Sequence, residues 1–479
     1  MRKTIISVRI TLILILITLL SSNAIGSIVS NVTWPNSGTI SYSRLIGNSN
    51  YDYTMVANST AYYIIAKNGS FAYSNANPKT AFTQLGSYVN NGGSAYINCS
   101  ITTTLSYRSI TLDNINDAIF AFDPTSMITM GYGVGNTGVL TAALFVTNCN
   151  NVTFVKPNIN GNAVTQGGTG SHSDGILIVD SNNVVVDGAY ITGARMFGFV
   201  IISNSAGYGA NGIINSLITY SGWNGIQLGT GGPDNFTTGA YAINNEVSHA
   251  SDVGISTYDY NSQIIGNYVH DIDGSTGGGF NAHWGIAVEA GKYNMMANNT
   301  VTNCAVGITI SPDRVNPTNT FPQSNTIRNN TIANCSTGIT SGGASSSEKA
   351  GNNVITQNRI SNWGTGYSGI AIAIWYGINE TISYNTVTDN RADAGYAITV
   401  RVSDDCKVQN NSVNTPKTSA YSLGVALDVA TNTVVEHNTI QAALGINIAS
   451  TVYYTIVTGN TIDAVIPIAD HGVGTIINP

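Results

Sequence analysis

The sequence predicts an all-β chain, a right-handed, single-stranded parallel β-helix of about twelve coils running from about Asn150 to Asn460, with an N-terminal capping helix. Three observations predict it. A six-residue frame recurs at steps of 22 to 32 residues. A second signature, Gly-Ile-x-Ile or a near variant, follows the frame in most repeats. Apolar residues in both alternate with period two, which is strand behaviour rather than helix behaviour.

The frame is an aliphatic residue, two polar residues, Asn, any residue, then Ile or Val. It reads Ile327-Arg-Asn-Asn330-Thr-Ile332, Ile355-Thr-Gln-Asn358-Arg-Ile360 and Ile382-Ser-Tyr-Asn385-Thr-Val387, and continues through Asn411, Asn438 and Asn460. Upstream it recurs with Asn215, Asn245, Asn267 and Asn299, and degenerately with Pro157 and Ala189 at the Asn place. The second signature includes Gly175-Ile176, Gly225-Ile226, Gly254-Ile255, Gly285-Ile286, Gly307-Ile308, Gly338-Ile339 and Gly369-Ile370. Three short strands and tight turns make one coil, and coils stacked about 4.8 Å apart pair each strand with its equivalents above and below. A single coil cannot bury its inward aliphatics alone, so stability comes from the stack. Each frame Asn is expected to hold a left-handed turn while its amide bonds the next Asn.

Before the repeats, residues 1–26 read as a secretory segment. Arg2, Lys3 and Arg9 precede an apolar Ile10–Leu20 core and small residues around Ala24–Ser27, the order of a signal peptide. The apolar core is shorter than the roughly 20 residues of a spanning helix; an uncleaved anchor is the alternative, and it is the only membrane contact expected. Residues 27–78, rich in Ser, Asn and Tyr, read as a small β-rich extension. Residues 79–150 carry the capping helix, Lys79–Val89, and the first coils; residues 151–479 are the repeats.

Composition narrows function. Only 9% of the 479 residues are charged, against roughly 25% in ordinary soluble domains, and Asn, Thr, Ser, Gly and Tyr replace them. Plentiful Ile, Val and aromatics exclude disorder. The net charge of −7 excludes a nucleic-acid partner, which needs a basic stripe to displace counterions. The five Cys residues form no C-x-x-C pair. Cys304 and Cys335 fall five places after the frame Asn in consecutive coils, so stacking brings their Cα atoms to about 5 Å. A disulfide and a pair of stacked reduced thiols both fit.

Insertions flank the Gly-Ile-x-Ile strand on both sides, so loops wall a groove along one sheet or are tolerated surface insertions. Ionisable and aromatic residues concentrate beside it between His172 and Glu289. The candidate catalytic groups are Asp174, Arg195, Asp252, His283 and Glu289. Ile286 and Val288 are expected to point inward and Ala287 and Glu289 outward, with Tyr258 outward one coil earlier. Carboxylates on neighbouring coils are expected several ångströms apart, suiting acid/base work on a glycosidic bond. His172, Trp223, His249, Tyr258, Asp259 and Trp284 are candidate substrate-binding residues, the rings offering apolar faces to sugars. Structural roles compete at each place. His249 and Asp271 fit an outer turn column with Asn303, Asn334, Asn362 and Asp389; Asp174 suits a turn before Gly175; Trp223 and Trp284 suit packing or the surface; Glu289 suits a solvated surface.

The Asn column resembles the turn ladder of the pectate-lyase-like right-handed β-helix superfamily, over about 300 residues. That resemblance implies the fold and places sugar binding in the groove. Its members span lyases, hydrolases, tailspikes, periplasmic accessory proteins and surface proteins. Ser173-Asp174-Gly175-Ile176 resembles the Asn-Thr-Asp-Gly motif of polygalacturonases, but Phe197-Gly198 and Trp223-Asn224-Gly225 stand where that family's Asp-Asp and Gly-His-Gly belong. Pectate lyases imply a calcium site and a basic residue; Asp271-Ile-Asp273-Gly274 is the candidate calcium loop, and Arg195 is the basic residue best placed inside the cluster. Two readings stand: a secreted or surface lyase or hydrolase of an extracellular polysaccharide, or a non-catalytic surface protein binding a cell-surface glycan or serving adhesion or the envelope. A periplasmic-type helper is the minor third.

Overall fold

The computed structural model describes residues 50–104, 109–134, 141–165, 173–203, 208–229, 238–273, 282–312, 321–364, 369–419 and 421–478, together with the short strands Asn31–Thr33 and Thr39–Ser41. The secretory segment read at residues 1–26, the substrate-binding candidate His172 and Gly274 of the calcium loop lie outside them.

Helix α1, Pro78–Val89, forms where a cap and a stop bracket an amphipathic run. The Asn77 side chain accepts the Lys79 N–H at 2.9 Å, and Pro78 occupies the first turn, where its missing N–H is harmless. The chain leaves through Asn91 and Gly92, both at positive φ. Ala81, Phe82, Leu85 and Val89 are buried over the first coil. Phe82 stacks on Phe120 (5.7 Å between ring centroids) and Phe120 on Phe154 (5.5 Å), so the cap continues the core of the stack. An antiparallel meander, Tyr53–Ala57, Tyr62–Ala66 and Phe71–Asn75, joins the same end; its first strand pairs in parallel with Ser94–Asn98.

From Ser94 the chain winds as a parallel β-helix with three strands per coil. The stack begins two coils before Asn150, since Ser94–Asn98 pairs with Asn116–Phe122 and that strand with Asn150–Val155. We call the sheets I, II and III in coil order. In one coil these are Val354–Thr356, Arg359–Ser361 and Ile370–Trp375. Each strand pairs in register with its counterparts in the coils on either side. Inward aliphatics such as Ile355, Ile360 and Ile372 are all buried in one continuous core.

The turn between sheets I and II holds the asparagine ladder. The N–H and Nδ2 of Asn330 both donate to Asn358 Oδ1, at 3.0 Å each, and Nδ2 also reaches Met296 O at 2.9 Å. The pattern runs unbroken from Asn245 to Asn460. Two expectations need correction. Asn215 is not a rung: Ser216 holds the place and its N–H donates to Asn245 Oδ1, while Asn215 faces solvent and bonds Asp187. Nor do the ladder asparagines adopt left-handed backbone. The preceding residue does, as at Asn244, Asn298, Asn329, Gln357, Tyr384, Asn410 and His437. This leaves the ladder Asn free to point its amide inward.

A second ladder occupies the turn between sheets III and I, five residues before the first. Ser262, Asn294 and Asn325 each donate their N–H to the next side chain, Asn294, Asn325 and Asn353 in turn, and Asn353 ends on the carboxylate of Glu380. Cys304 and Cys335 stack as expected and are free thiols. A hydrogen bond between them holds the Cys304 thiol well above its ordinary pKa and the Cys335 thiol below it.

Candidate functional site

The outward face of sheet III carries most of the sequence-predicted residues, in two groups at opposite ends of its strands. At the upstream end lie Asp174, Arg195, Trp223, Asp252, His283 and Trp284, on consecutive coils beside the turn from sheet II. Backbone hydrogen bonds link them: Arg195 N to Ser173 O (3.1 Å), Asp252 N to Trp223 O (3.1 Å) and Trp284 N to Asp252 O (2.9 Å). Asp174 is fully buried and accepts the Phe197 N–H at 3.2 Å; Asp252 is buried and accepts the Ala282 N–H at 3.0 Å. Both carboxylates brace turns. Trp223 meets Phe197 edge-on at 5.6 Å, against an outer apolar cluster that includes Leu177, Met196, Val200 and Ile202.

At the downstream end lie Tyr258, Asp259 and Glu289. Ile286 and Val288 face the core, as expected. Ser256 pairs with Ala287 and Thr257 with Val288, which makes Tyr258 the register neighbour of Glu289 on the outer face. Glu289 is not a solvated surface residue: it is fully buried, and Ser256 Oγ donates to it at 2.8 Å. Tyr258 and Asp259 are buried too, and the Asp259 carboxylate fills the space beside Gly229.

The three candidate catalytic carboxylates do not converge, although Asp259 and Glu289 share the downstream end of neighbouring coils. Asp252 and Glu289 are on neighbouring coils but opposite ends of the strand, six residues apart in register, hence about 20 Å at 3.3 Å per residue. Asp174 is three coils from Asp252, about 14 Å at the inter-strand spacing. No pair among these three falls within the roughly 5–9.5 Å that two glycosidase carboxylates span.

A third group projects from sheet II and the following turn. The His249 ring stacks on Tyr220 at 4.8 Å, with Nδ1 3.3 Å from Asp273. The His270 ring stacks on Tyr268 at 4.2 Å, and its Nδ1 lies 2.7 Å from Asp271 Oδ2. Asn303 Nδ2 donates to the other oxygen of Asp271 at 2.7 Å. The hydrogen bond with His270, then that from Asn303, hold the Asp271 carboxyl below its ordinary pKa. His249, Asp271, Asn303, Asn334 and Asn362 all have positive φ, so the outer turn column holds through these five; Asp389 departs from it, lacking positive φ and turning inward as a buried acceptor for Arg391. Among the described residues, no group of three or more His, Cys, Asp or Glu side chains is arranged to hold a metal.

Sequence reasoning missed the residues that complete the outer face. Gln227, which accepts from Asn224 at 2.8 Å, and Ser256 occupy the x place of Gly-Ile-x-Ile. The column of Glu289 continues through Ser311, Gly342, Trp375, Arg401 and Asp428. Gly369-Ile370 hid this continuation, because Ala371-Ile372 holds the register of Gly338-Ile339. The outer residue thus falls at Trp375, two places later than the sequence frame puts it.

A family described as the right-handed β-helix region matches residues 207–366 and 321–462, together more than half of the chain. The chain belongs to the right-handed β-helix family. No curated protein sequence matches it. Among solved structures, PfbA, a surface adhesin of Streptococcus pneumoniae, is 13% identical over 83% of this chain and 88% of its own, with a TM-score of 0.43. DFA-IIIase from Arthrobacter chlorophenolicus A6 is 15% identical over 69% of this chain and 87% of its own, at 0.46. The pre-mature gene product 12 of bacteriophage phi29 is 14% identical over 81% of this chain and 52% of its own, at 0.50. At such identities the likeness is one of fold.

Proposed function

We propose that this is an exported β-helix protein that binds an extracellular or cell-surface polysaccharide along the outer face of sheet III, without cleaving it. The observation that carries this reading is the separation of Asp174, Asp252 and Glu289, each of which already accepts a hydrogen bond within the fold. Along the same face, on the coil of Asp252 and the five that follow, runs a column of small and mostly buried side chains, Ser256, Ala287, Thr309, Thr340, Ala373 and Thr399, one per coil. Export rests on the secretory pattern of residues 1–26. Asp271 and Asp273, each beside a histidine, serve in this reading as outer-turn residues rather than calcium ligands.

The second reading is a polysaccharide lyase or hydrolase, and one observation favours it. Glu289 is a fully buried carboxylate on the outside of a sheet, next to Tyr258 and Ser256, and taking a carboxylate out of water is costly without a compensating role. One screen separates the readings. A polysaccharide panel is scored for retention of the protein, for new reducing ends and for unsaturated products. Retention without product supports binding. Turnover that disappears in Glu289→Gln establishes the enzyme instead.

A further inference from the structure

Trp375, Arg401 and Asp428 stand on three consecutive coils in the column that begins at Tyr258 and Glu289. Trp375 is 40% exposed. The Arg401 guanidinium lies over one face of the indole, 5.7 Å from the ring. Its Nε is 3.1 Å from Asp428 Oδ2, and Thr451 Oγ1 donates to Asp428 Oδ1 at 3.0 Å. On the other side of Trp375 the column position is Gly342, which has no side chain, and beyond it Ser311. No side chain of the column therefore stands against the indole on that side, where the Gly342 backbone packs on that of Trp375, a Cβ there meeting its carbonyl oxygen at 2.6 Å. Two buried hydroxyls on this same face, Ser311 Oγ and Thr399 Oγ1, make no hydrogen bond among the described residues.

We propose that Trp375, Arg401 and Asp428 form a subsite for an uncharged pyranose ring of a polysaccharide. The carbon-bound hydrogens of one sugar face lie against the exposed part of the Trp375 indole. The hydroxyls are met by the terminal N–H groups of Arg401 and the carboxylate of Asp428. The choice of an uncharged sugar follows from charge: Asp428 neutralises Arg401, so the site offers donors and acceptors side by side but no net charge to hold an acidic residue. The subsite rests on the reading of sheet III as a glycan-binding face and adds to it the class of sugar.

The test is affinity electrophoresis of the full chain in gels containing neutral polysaccharides (starch, dextran, hydroxyethylcellulose, xylan) or acidic ones (polygalacturonate, alginate). We expect retardation in at least one neutral gel, and a loss of affinity of about tenfold in Trp375→Ala. Trp375→Phe keeps a ring and is expected to retain most binding, while losing the change in tryptophan fluorescence that accompanies titration with the polysaccharide. Unchanged thermal unfolding shows that each variant folds. Retardation that persists undiminished in Trp375→Ala overturns the subsite and leaves the glycan-binding face standing. Retardation confined to acidic gels overturns the uncharged sugar. No retardation in any gel overturns both the subsite and the broader reading.

Discussion

The Nδ2 of Asn353 donates to a carboxylate oxygen of Glu380 at 2.8 Å inside the stack, where Ser341 Oγ donates to the other oxygen at 3.0 Å. Burial pushes the Glu380 carboxyl up to about 7 despite these lowering hydrogen bonds. In the unfolded chain it titrates near 4.5, so between pH 4.5 and 7 the folded state holds a proton that the unfolded state has released. Stability from this group is full below pH 4.5 and is lost as pH rises to about 7, by about 3 kcal/mol at most. Thermal unfolding across pH 4–8 should show wild type declining relative to Glu380→Gln through this window, with the variant more stable above pH 7. Parallel pH profiles for the two proteins would contradict this account.

The first ladder predicts a graded cost of mutation. Asn330→Ala strands the N–H and Nδ2 of Asn299, which lose their acceptor, and the carbonyl of Met296, which loses its donor. Buried groups left so cost about 1–3 kcal/mol each before relaxation, and a net loss of about 3 kcal/mol is expected in urea unfolding. Asn460, at the end of the ladder and only half-buried, should lose clearly less on the same change.

Gly307 has no room for a methyl group. A Cβ there would stand 2.5 Å from Ile332 Cγ2 and 2.6 Å from the Gly338 carbonyl oxygen of the next coil. Gly307→Ala should lower the unfolding midpoint by the equivalent of about 1–3 kcal/mol, because two coils must separate to admit it. Circular dichroism during thermal melting reads the shift directly.

The thiols give a chemical check on the stack. All five cysteines are free and four of them are buried; burial pushes Cys99 and Cys406 up to about 12. Ellman's reagent should find close to none in the native protein and all five in guanidinium. A count of three in denaturant would show that Cys304 and Cys335 are joined.

The repeat was legible because stacking forces the same side chain into the same turn in successive coils. The Asn column, the period-two strands and the capping helix all follow from that constraint. The second ladder was equally legible in the five-residue spacing of Asn294 to Asn299, Asn325 to Asn330 and Asn353 to Asn358, once Asn is sought at two turns rather than one. What escaped were matters of register and depth. Ser216 displaces Asn215 because the place, not the residue type, defines a rung. Glu289 is outward yet buried, and no single-strand pattern reports what covers the outside of a sheet. Strand rise, which puts Asp252 and Glu289 at opposite ends of neighbouring strands, decided the geometry of the acids.

Both ladders share a direction. Every rung donates toward the C-terminal end and accepts from the N-terminal side, so the amide dipoles of each column add rather than cancel, as they do along a helix. The interior of this β-helix therefore has an electrical polarity, with the donor ends of its amides aimed down the stack. Glu380 sits where the second column delivers those donors, which makes a carboxylate the fitting terminus for a line of amides. Running the same coils in reverse order would bring Glu380 to the acceptor end, facing carbonyl oxygen instead of N–H. The order of the repeats is thus part of the electrostatics of the fold, and coils that look interchangeable in sequence are not.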